Sequence, residues 1–255
     1  MTKHKDLFFK YTISRLKTEL ERADQRIIAI SQILSSLPKN INEIFEELRI
    51  IGDILYPNME KELTLEEYVR LCSLEEISEN TLKKISLDKT KIRKILEIQE
   101  MGLSAELEKD EKIIFINLAK NLQALLDTKK SLEALEEKMV KTNYPNFSEI
   151  ATPAIACKMI EVAGSFERLS RFPASTIQLL GAENSFFRAL KTRSKKTPKY
   201  GFIYAHPLLI NLNKKDKGKF ARTISAKIAI AIKADLGGKD LRKELTDKIN
   251  SKLKK

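Results

Sequence analysis

Between Gly181 and Lys227 the chain sets twelve Lys/Arg against two acids, Glu183 and Asp216, and places aromatic rings among them. Cations at this density neutralise phosphates, and exposed rings offer faces on which bases stack. The chemistry within reach is therefore polyanion recognition, nucleic acid above all. The residues fall into three groups. Gly181, Ala182, Glu183 and Asn184 form a turn into a short helix bearing Phe186, Phe187 and Arg188. Glycine lets the backbone approach a partner closely, and free amides at a helix start can face a phosphate, although Glu183 there also serves simply to complement the helix dipole. Phe186 and Phe187 point about 100° apart on a helix, so one ring belongs to the core and one reaches outward. Lys191, Arg193, Lys195, Lys196 and Lys199 make a cationic loop, either a contact surface or a solvated run. Lys214, Lys215, Lys217, Lys219 and Arg222 open another helix, where cations oppose the dipole and imply a local anion. His206, ahead of Pro207, either hydrogen-bonds RNA or is satisfied within the fold. Phosphate contacts of this kind set affinity and salt dependence, not sequence choice.

The residue types also exclude chemistry. No G-x-S-x-G, P-loop or H-E-x-x-H string occurs, and a metal-dependent nuclease would need grouped acids beside the cations. The expectation is a protein without catalytic residues, metal or cofactor. Two cysteines, Cys72 and Cys157, and two histidines, His4 and His206, are too few and too scattered for a structural zinc site or a disulfide framework, as suits a reducing cytoplasm. No signal-type apolar run opens the chain and no stretch approaches a membrane span.

The elements that must position these residues read as helices. Charged residues make up 32% of the chain while glycine and proline are sparse, which favours helix over all-β folds. Residues 1–142 hold 24 Lys/Arg and 26 Asp/Glu, net −2; residues 143–255 hold 23 and 9, net +14. The polyanion-binding half is the second one. In the first half Ile13, Leu20, Ile27, Leu34, Ile41, Leu48 and Leu55 recur every seven residues, with Leu16, Ala23, Ile30, Leu37, Ile44 and Ile51 three beyond them. That heptad specifies a narrow seam for another helix. Pro38 kinks or briefly breaks it without changing the register. Tyr56-Pro57-Asn58 ends the run, short helices fill 58–104, and residues 105–142 return as a long helix with an apolar stripe of Ile114, Leu118, Leu125, Leu132, Leu135 and Met139. The pattern predicts an all-α fold: an antiparallel coiled-coil arm (1–142) with a helical tip (58–104), then a basic helical domain (143–255). The arm is either a bundle closed within one chain or a dimerisation arm. Beyond the Asn143-Tyr144-Pro145-Asn146 joint, helices are expected at Pro153–Ala163, Glu167–Ser170, Ser175–Leu180, Ala182–Thr192, Lys219–Asp235 and Asp240–Lys254, with Gly237-Gly238 as a stop and Asp240 as a cap.

Asn146-Phe147-Ser148-Glu149-Ile150, Ala163-Gly164-Ser165-Phe166, PASTIQLLGAE (173–183), SFFR (185–188), PKYGFIYAHP (198–207), GKFAR (218–222) and, in the arm, INEIFEELRIIGDILYP (41–57) resemble the Nop domain of the box C/D ribonucleoprotein core proteins and their pre-mRNA-splicing relative. The resemblance covers about residues 11–250. It implies a coiled-coil arm that self-associates as a homodimer, and a C-terminal domain that grips a kink-turn RNA already holding a small kink-turn-binding protein of the ribosomal type. It further implies a non-catalytic scaffold in a complex that directs 2′-O-methylation of RNA, cytoplasmic in an archaeon and nucleolar in a eukaryote. On this alignment residues 185–188 lie against the end of an RNA duplex, with Arg188 on the backbone or a base. The chain begins at the helix entering the arm, so the family's fibrillarin-binding domain is expected to be missing and fibrillarin is not an expected partner. Asn184 stands where the family usually has lysine, which removes one cation, and Ser185-Phe186 replaces its usual Ala-Leu. The competing reading is a coiled-coil adaptor for proteins, with only nonspecific affinity for RNA.

Overall fold

The structure is a computed structural model of the 255-residue chain, described here for residues 9–14, 16, 22–85, 87–101, 107–192 and 197–253. Thirteen helices are labelled in chain order: α1 (Ala23–Leu55), α2 (Leu65–Cys72), α3 (Glu79–Lys84), α4 (Lys89–Glu100), α5 (Lys109–Asn143), α6 (Pro145–Ala151), α7 (Pro153–Ala163), α8 (Phe166–Ser170), α9 (Ala174–Leu179), α10 (Glu183–Lys191), α11 (Pro207–Ile210), α12 (Lys214–Leu236) and α13 (Arg242–Leu253). No strand occurs among the described residues, so the fold is all-α. Two compact units result: Leu34–Glu133, and the described residues of Met1–Ile33 together with Ala134–Lys255.

In the first unit α1 runs on through Pro38 as one helix of 33 residues, and the heptad positions Ile41 and Leu48 are buried. The facing stripe of α5 differs from the one expected. Phe115, Ile116, Ala119, Leu122 and Leu126 are buried, Leu118 and Leu125 border the core, and Ile114 is 70% exposed. The sequence of α5 carries two adjacent apolar lines, and packing within the unit turns the one with Phe115 and Ala119 inward. At the tip, Thr64 and Glu67 cap α2 reciprocally, Ser78 and Thr81 do the same for α3, and the Asp88 carboxylate accepts the amides of Thr90 and Lys91 at the start of α4. Gly52 explains itself within this core. A β-carbon there would lie 2.3 Å from the hydroxyl oxygen of buried Tyr68, which donates to Asp53 Oδ1 at 3.2 Å.

The second unit is built around α12. Its Phe220, Ala221, Ile224, Ile228, Ala231 and Ile232 are buried, and it packs on α6 and α9. The small residues let the helices approach closely while the isoleucines fill the space between them. The stretch at 143–146 is more than a joint, because Pro145 is the first residue of α6, where its missing amide hydrogen costs nothing. Asp235, near the end of α12, caps that helix across the core. Its Oδ1 accepts from the Asn146 amide (3.0 Å) and side-chain Nδ2 (2.6 Å), and its Oδ2 accepts from the Phe147 amide (2.8 Å). Asn146 also donates to the Lys239 carbonyl and accepts from the Leu241 amide, which ties down the Gly237-Gly238 turn before α13. Asp240 accepts the Arg242 amide at 3.1 Å, as expected of a cap. Asp24, 1% exposed, plays a similar part for α8, accepting the Phe166 amide at 2.9 Å. Tyr144 stacks on the Phe166 ring at 3.7 Å, and its burial, with Asp24 nearby, pushes its phenol up to about 12.

Candidate nucleic-acid interface

The three groups singled out in the basic half converge in one unit through a small set of backbone contacts. Phe202 N donates to Leu180 O at 2.8 Å, Gly201 N to Gln178 O at 2.9 Å, and Gln178 Nε2 to Lys199 O at 2.6 Å. The segment 199–202 is thereby strapped along the end of α9. Two glycines permit it. A β-carbon on Gly201 would sit 1.9 Å from Leu180 O, and one on Gly181, whose φ is +88°, would meet the Phe202 ring at 2.6 Å. The second cationic cluster reaches the same place. Gly218 of α12 lies beside the Lys199 side chain, 3.6 Å from its Cδ to an ideal β-carbon position, and Lys217 Nζ stands 5.1 Å from the centre of the Tyr204 ring while donating to Ile210 O. Tyr204 in turn stacks on Tyr200 at 5.1 Å.

Most of the expected residues are available to a partner. Gly181, Asn184, Phe187, Arg188, Lys191, Lys199, Lys214, Lys215, Lys219 and Arg222 are exposed; Ala182, Glu183, Phe186 and Lys217 are half-buried. Phe187 is the outward ring, at 64% exposed, and Leu190 follows it one turn on. Arg193, Lys195 and Lys196 lie outside the described residues. Two expectations change. The amide of Gly181 donates to Glu183 Oε1 at 2.7 Å and that of Ala182 to Leu179 O at 2.9 Å, so half of the imagined amide cradle is already occupied. His206 is only 5% exposed. Its Nδ1 accepts the Leu208 amide at the start of α11, and its Nε2, 3.1 Å from Ile150 O, therefore carries the proton and donates. It is a structural cap, held below its ordinary value of 6.5 by burial, with the Ile150 bond opposing. Sequence reasoning missed Tyr200 and Tyr204, whose signal was their i, i+4 spacing within a cationic stretch.

The electrostatics of the two units differ. In the arm several cations are matched with acids: Lys120 with Glu75 at 2.7 Å, Lys94 with Glu62 at 2.8 Å, Lys91 with Glu67 at 2.8 Å, Lys130 with Glu66 at 2.5 Å. On the basic face Arg188, Lys191, Lys199, Lys214, Lys215, Lys219 and Arg222 form no ion pair with another described residue. Exposed cations in the same unit as the exposed Phe187 ring leave positive potential and an apolar surface directed at solvent. Cys72 and Cys157 are both buried, and burial pushes each thiol upward, away from reactivity. Among the described residues no group of three or more His, Cys, Asp or Glu is placed to hold a metal, and no helix is long and apolar enough to cross a membrane.

Fold and site together define an all-helical module with a basic, aromatic-bearing face. Comparison with known proteins gives it a family. The model described as "Nop: snoRNA binding domain, fibrillarin" matches residues 33–255. The chain is 30% identical over 243 residues to an uncharacterised NOP5 family protein of Methanocaldococcus jannaschii, covering 93% of this chain and 58% of that one. It is 30% identical over 236 residues to nucleolar protein 56 of Dictyostelium discoideum, covering 88% of this chain and 43% of that one. A crystal structure of a fibrillarin/Nop5p complex contains a chain of the same fold, with TM-score 0.56 and 24% identity over 98% of this chain and 78% of that one. The chain belongs to the Nop family, whose members are RNA-binding scaffold proteins of ribonucleoproteins rather than enzymes. It spans about half the length of the curated relatives it matches. The family description itself names fibrillarin, so the expectation that fibrillarin is no partner is not carried further.

Proposed function

We propose that this chain is a scaffold of a box C/D-type ribonucleoprotein. Its basic unit docks onto a kink-turn RNA together with that RNA's small binding protein, and its arm joins two copies. The observation that carries the reading is the set of exposed cations without an ion-pair partner among the described residues, on α10 with exposed Phe187, at Lys199 beside the Leu180–Phe202 strap, and at the start of α12. Gly181, Ala182, Glu183, Asn184, Phe186, Phe187, Arg188, Lys191, Lys199, Lys214, Lys215, Lys217, Lys219 and Arg222 form the contact surface, with Arg193, Lys195 and Lys196 of the same cationic loop added to it. Self-association is supported by apolar residues left outside the arm's own core: Ile50, Ile51 and Ile54 on α1 are 62%, 37% and 46% exposed, and Ile114 on α5 is exposed too. Fibrillarin, named for the family and in the solved complex, is the partner that would bring methyl transfer to the assembly. The compartment follows the assembly: nucleolar in a eukaryote, as the name of the slime-mould relative suits, and cytoplasmic in an archaeon.

The test is a binding titration at two salt concentrations, with a kink-turn RNA and a scrambled control, each with and without the kink-turn-binding protein. Tight, salt-resistant binding confined to the kink-turn complex supports the scaffold. Equal, salt-sensitive binding to all four samples overturns it and leaves a protein adaptor with incidental charge attraction. For the arm, Ile50→Glu with Ile54→Glu should convert a dimer to a monomer by light scattering while helicity stays constant.

A further inference from the structure

Beside the basic face, within the same unit, a groove of about 580 Å³ opens between the start of α7, the turn into α10 and the 198–207 segment. Ala154, Ala182 and Pro198 give it a small, apolar lining, Ser185 adds a hydroxyl, Tyr200 and Tyr204 add rings, and Lys158 adds a cation. The volume lies within the roughly 300–1,000 Å³ of small-ligand sites, and is too small for a helix or a duplex. The two tyrosine rings are nearly parallel, 12° apart, and the Lys217 ammonium over Tyr204 continues the stack toward the second cationic cluster. Thr152, which also lines the groove, holds φ 71° and ψ 148°, a region of backbone space that β-branched residues avoid and that strained functional sites favour. Of the groups that line it, Gly181 and Ala182 also belong to the phosphate-contacting set described above, and Lys217 of that set reaches its edge through Tyr204.

We propose that this groove takes one unpaired base of the bound RNA, packed against Tyr200 and Tyr204, with its phosphate toward Lys158. The inference rests on the RNA-binding reading above and adds to it a subsite with its own chemistry. A planar, uncharged ring attached to a phosphate matches the lining at both ends: aromatic and small apolar groups inside, exposed Lys158 at the border. An extended acidic peptide would leave its charges against Ala154, Ala182 and Pro198 without partners. Stacking on such a platform tolerates any base, so the subsite selects for a base that is unpaired rather than for its identity.

The experiment uses the full chain and the kink-turn RNA already bound to its kink-turn protein, with each unpaired nucleotide replaced in turn by an abasic one. At one position the abasic change should weaken binding by roughly tenfold, as loss of one stacked base does. Ser185→Phe fills the groove from an exposed position, so the fold should survive it, as circular dichroism checks. It should weaken the intact RNA by the same factor and abolish the abasic effect. Lys158→Ala should lower the salt dependence with a smaller loss of affinity. If no abasic position matters while Arg188→Glu still weakens binding, the basic face stands and the base subsite is overturned. If Arg188→Glu and Lys199→Glu change nothing, the RNA reading itself fails and the subsite goes with it. If Ser185→Phe weakens binding only when the kink-turn protein is present, and abasic RNAs bind like the intact one, the groove takes a protein side chain and the proposal is overturned.

Discussion

Gly201 lies so close to Leu180 that a β-carbon on it would fall 1.9 Å from the Leu180 carbonyl oxygen. That oxygen is also the acceptor for the Phe202 amide, so neither backbone has room to move. Gly201→Ala should therefore lower stability by about 1–3 kcal/mol or more, the cost of overpacking without a yielding neighbour. It should also release the 199–202 strap and weaken RNA binding with it. The control is Gly218→Ala. There the added carbon meets Lys199 Cδ at an ordinary 3.6 Å inside a helix, so the change should stabilise by about 0.5–1 kcal/mol and leave binding intact. Urea melts of the two variants check both signs.

Asp235 should be among the most sensitive polar residues of the basic unit. Its carboxylate satisfies three donors of Asn146 and Phe147, two of them backbone amides at the start of α6. Asp235→Ala leaves these donors without a partner and removes a negative charge from the helix start. The expected loss is about 2–4 kcal/mol. Asp235→Asn should recover part of it, because one oxygen remains to accept. Denaturant midpoints with unchanged slopes would check the ranking.

The unpaired cations make a prediction about salt. If Lys199, Lys219 and Arg222 each contact a phosphate, neutralising any one should reduce the slope of log affinity against log salt by about one, with similar loss for any RNA sequence. Lys120→Ala in the arm, where Glu75 already matches the charge, should leave that slope unchanged. Titrations at four salt concentrations separate the two outcomes.

His206 makes a prediction about pH. Burial holds its folded value below the ordinary 6.5, with the Ile150 hydrogen bond opposing, and a second proton on Nδ1 would displace the Leu208 amide. The unfolded chain thus binds more protons in this range than the folded one. The stabilising contribution is fully present above about pH 6.5 and is lost as pH falls through the lower folded value. The urea midpoint should drop between about pH 7.5 and about pH 5.5. His206→Asn, which keeps a cap without a titratable ring, should flatten that drop.

The chain itself determined what is local. Apolar spacing marked α1 and its buried Ile41 and Leu48, Pro153–Ala163 was bounded as the structure has it, and Gly237-Gly238 ended α12. Periodicity, caps and the steric demands of glycine and proline act within a few residues, so they can be read from a string. The resemblance carried by the GAE and PKYGF strings led to the right family for the same reason, since those residues answer to tight local geometry. Tertiary structure decided the rest. Whether α5 buried Phe115 or Ile114 depended on the shape of the opposing helix. Whether His206 faced solvent depended on Ile150, 56 positions away. Lys199 and Gly218 became neighbours, and Asp235 became the cap of a helix starting at Pro145, only once α12 had packed against α6 and α9. Burial, charge pairing and the closure of a groove belong to groups brought together from distant parts of the chain. Their energy depends on distances that only packing sets.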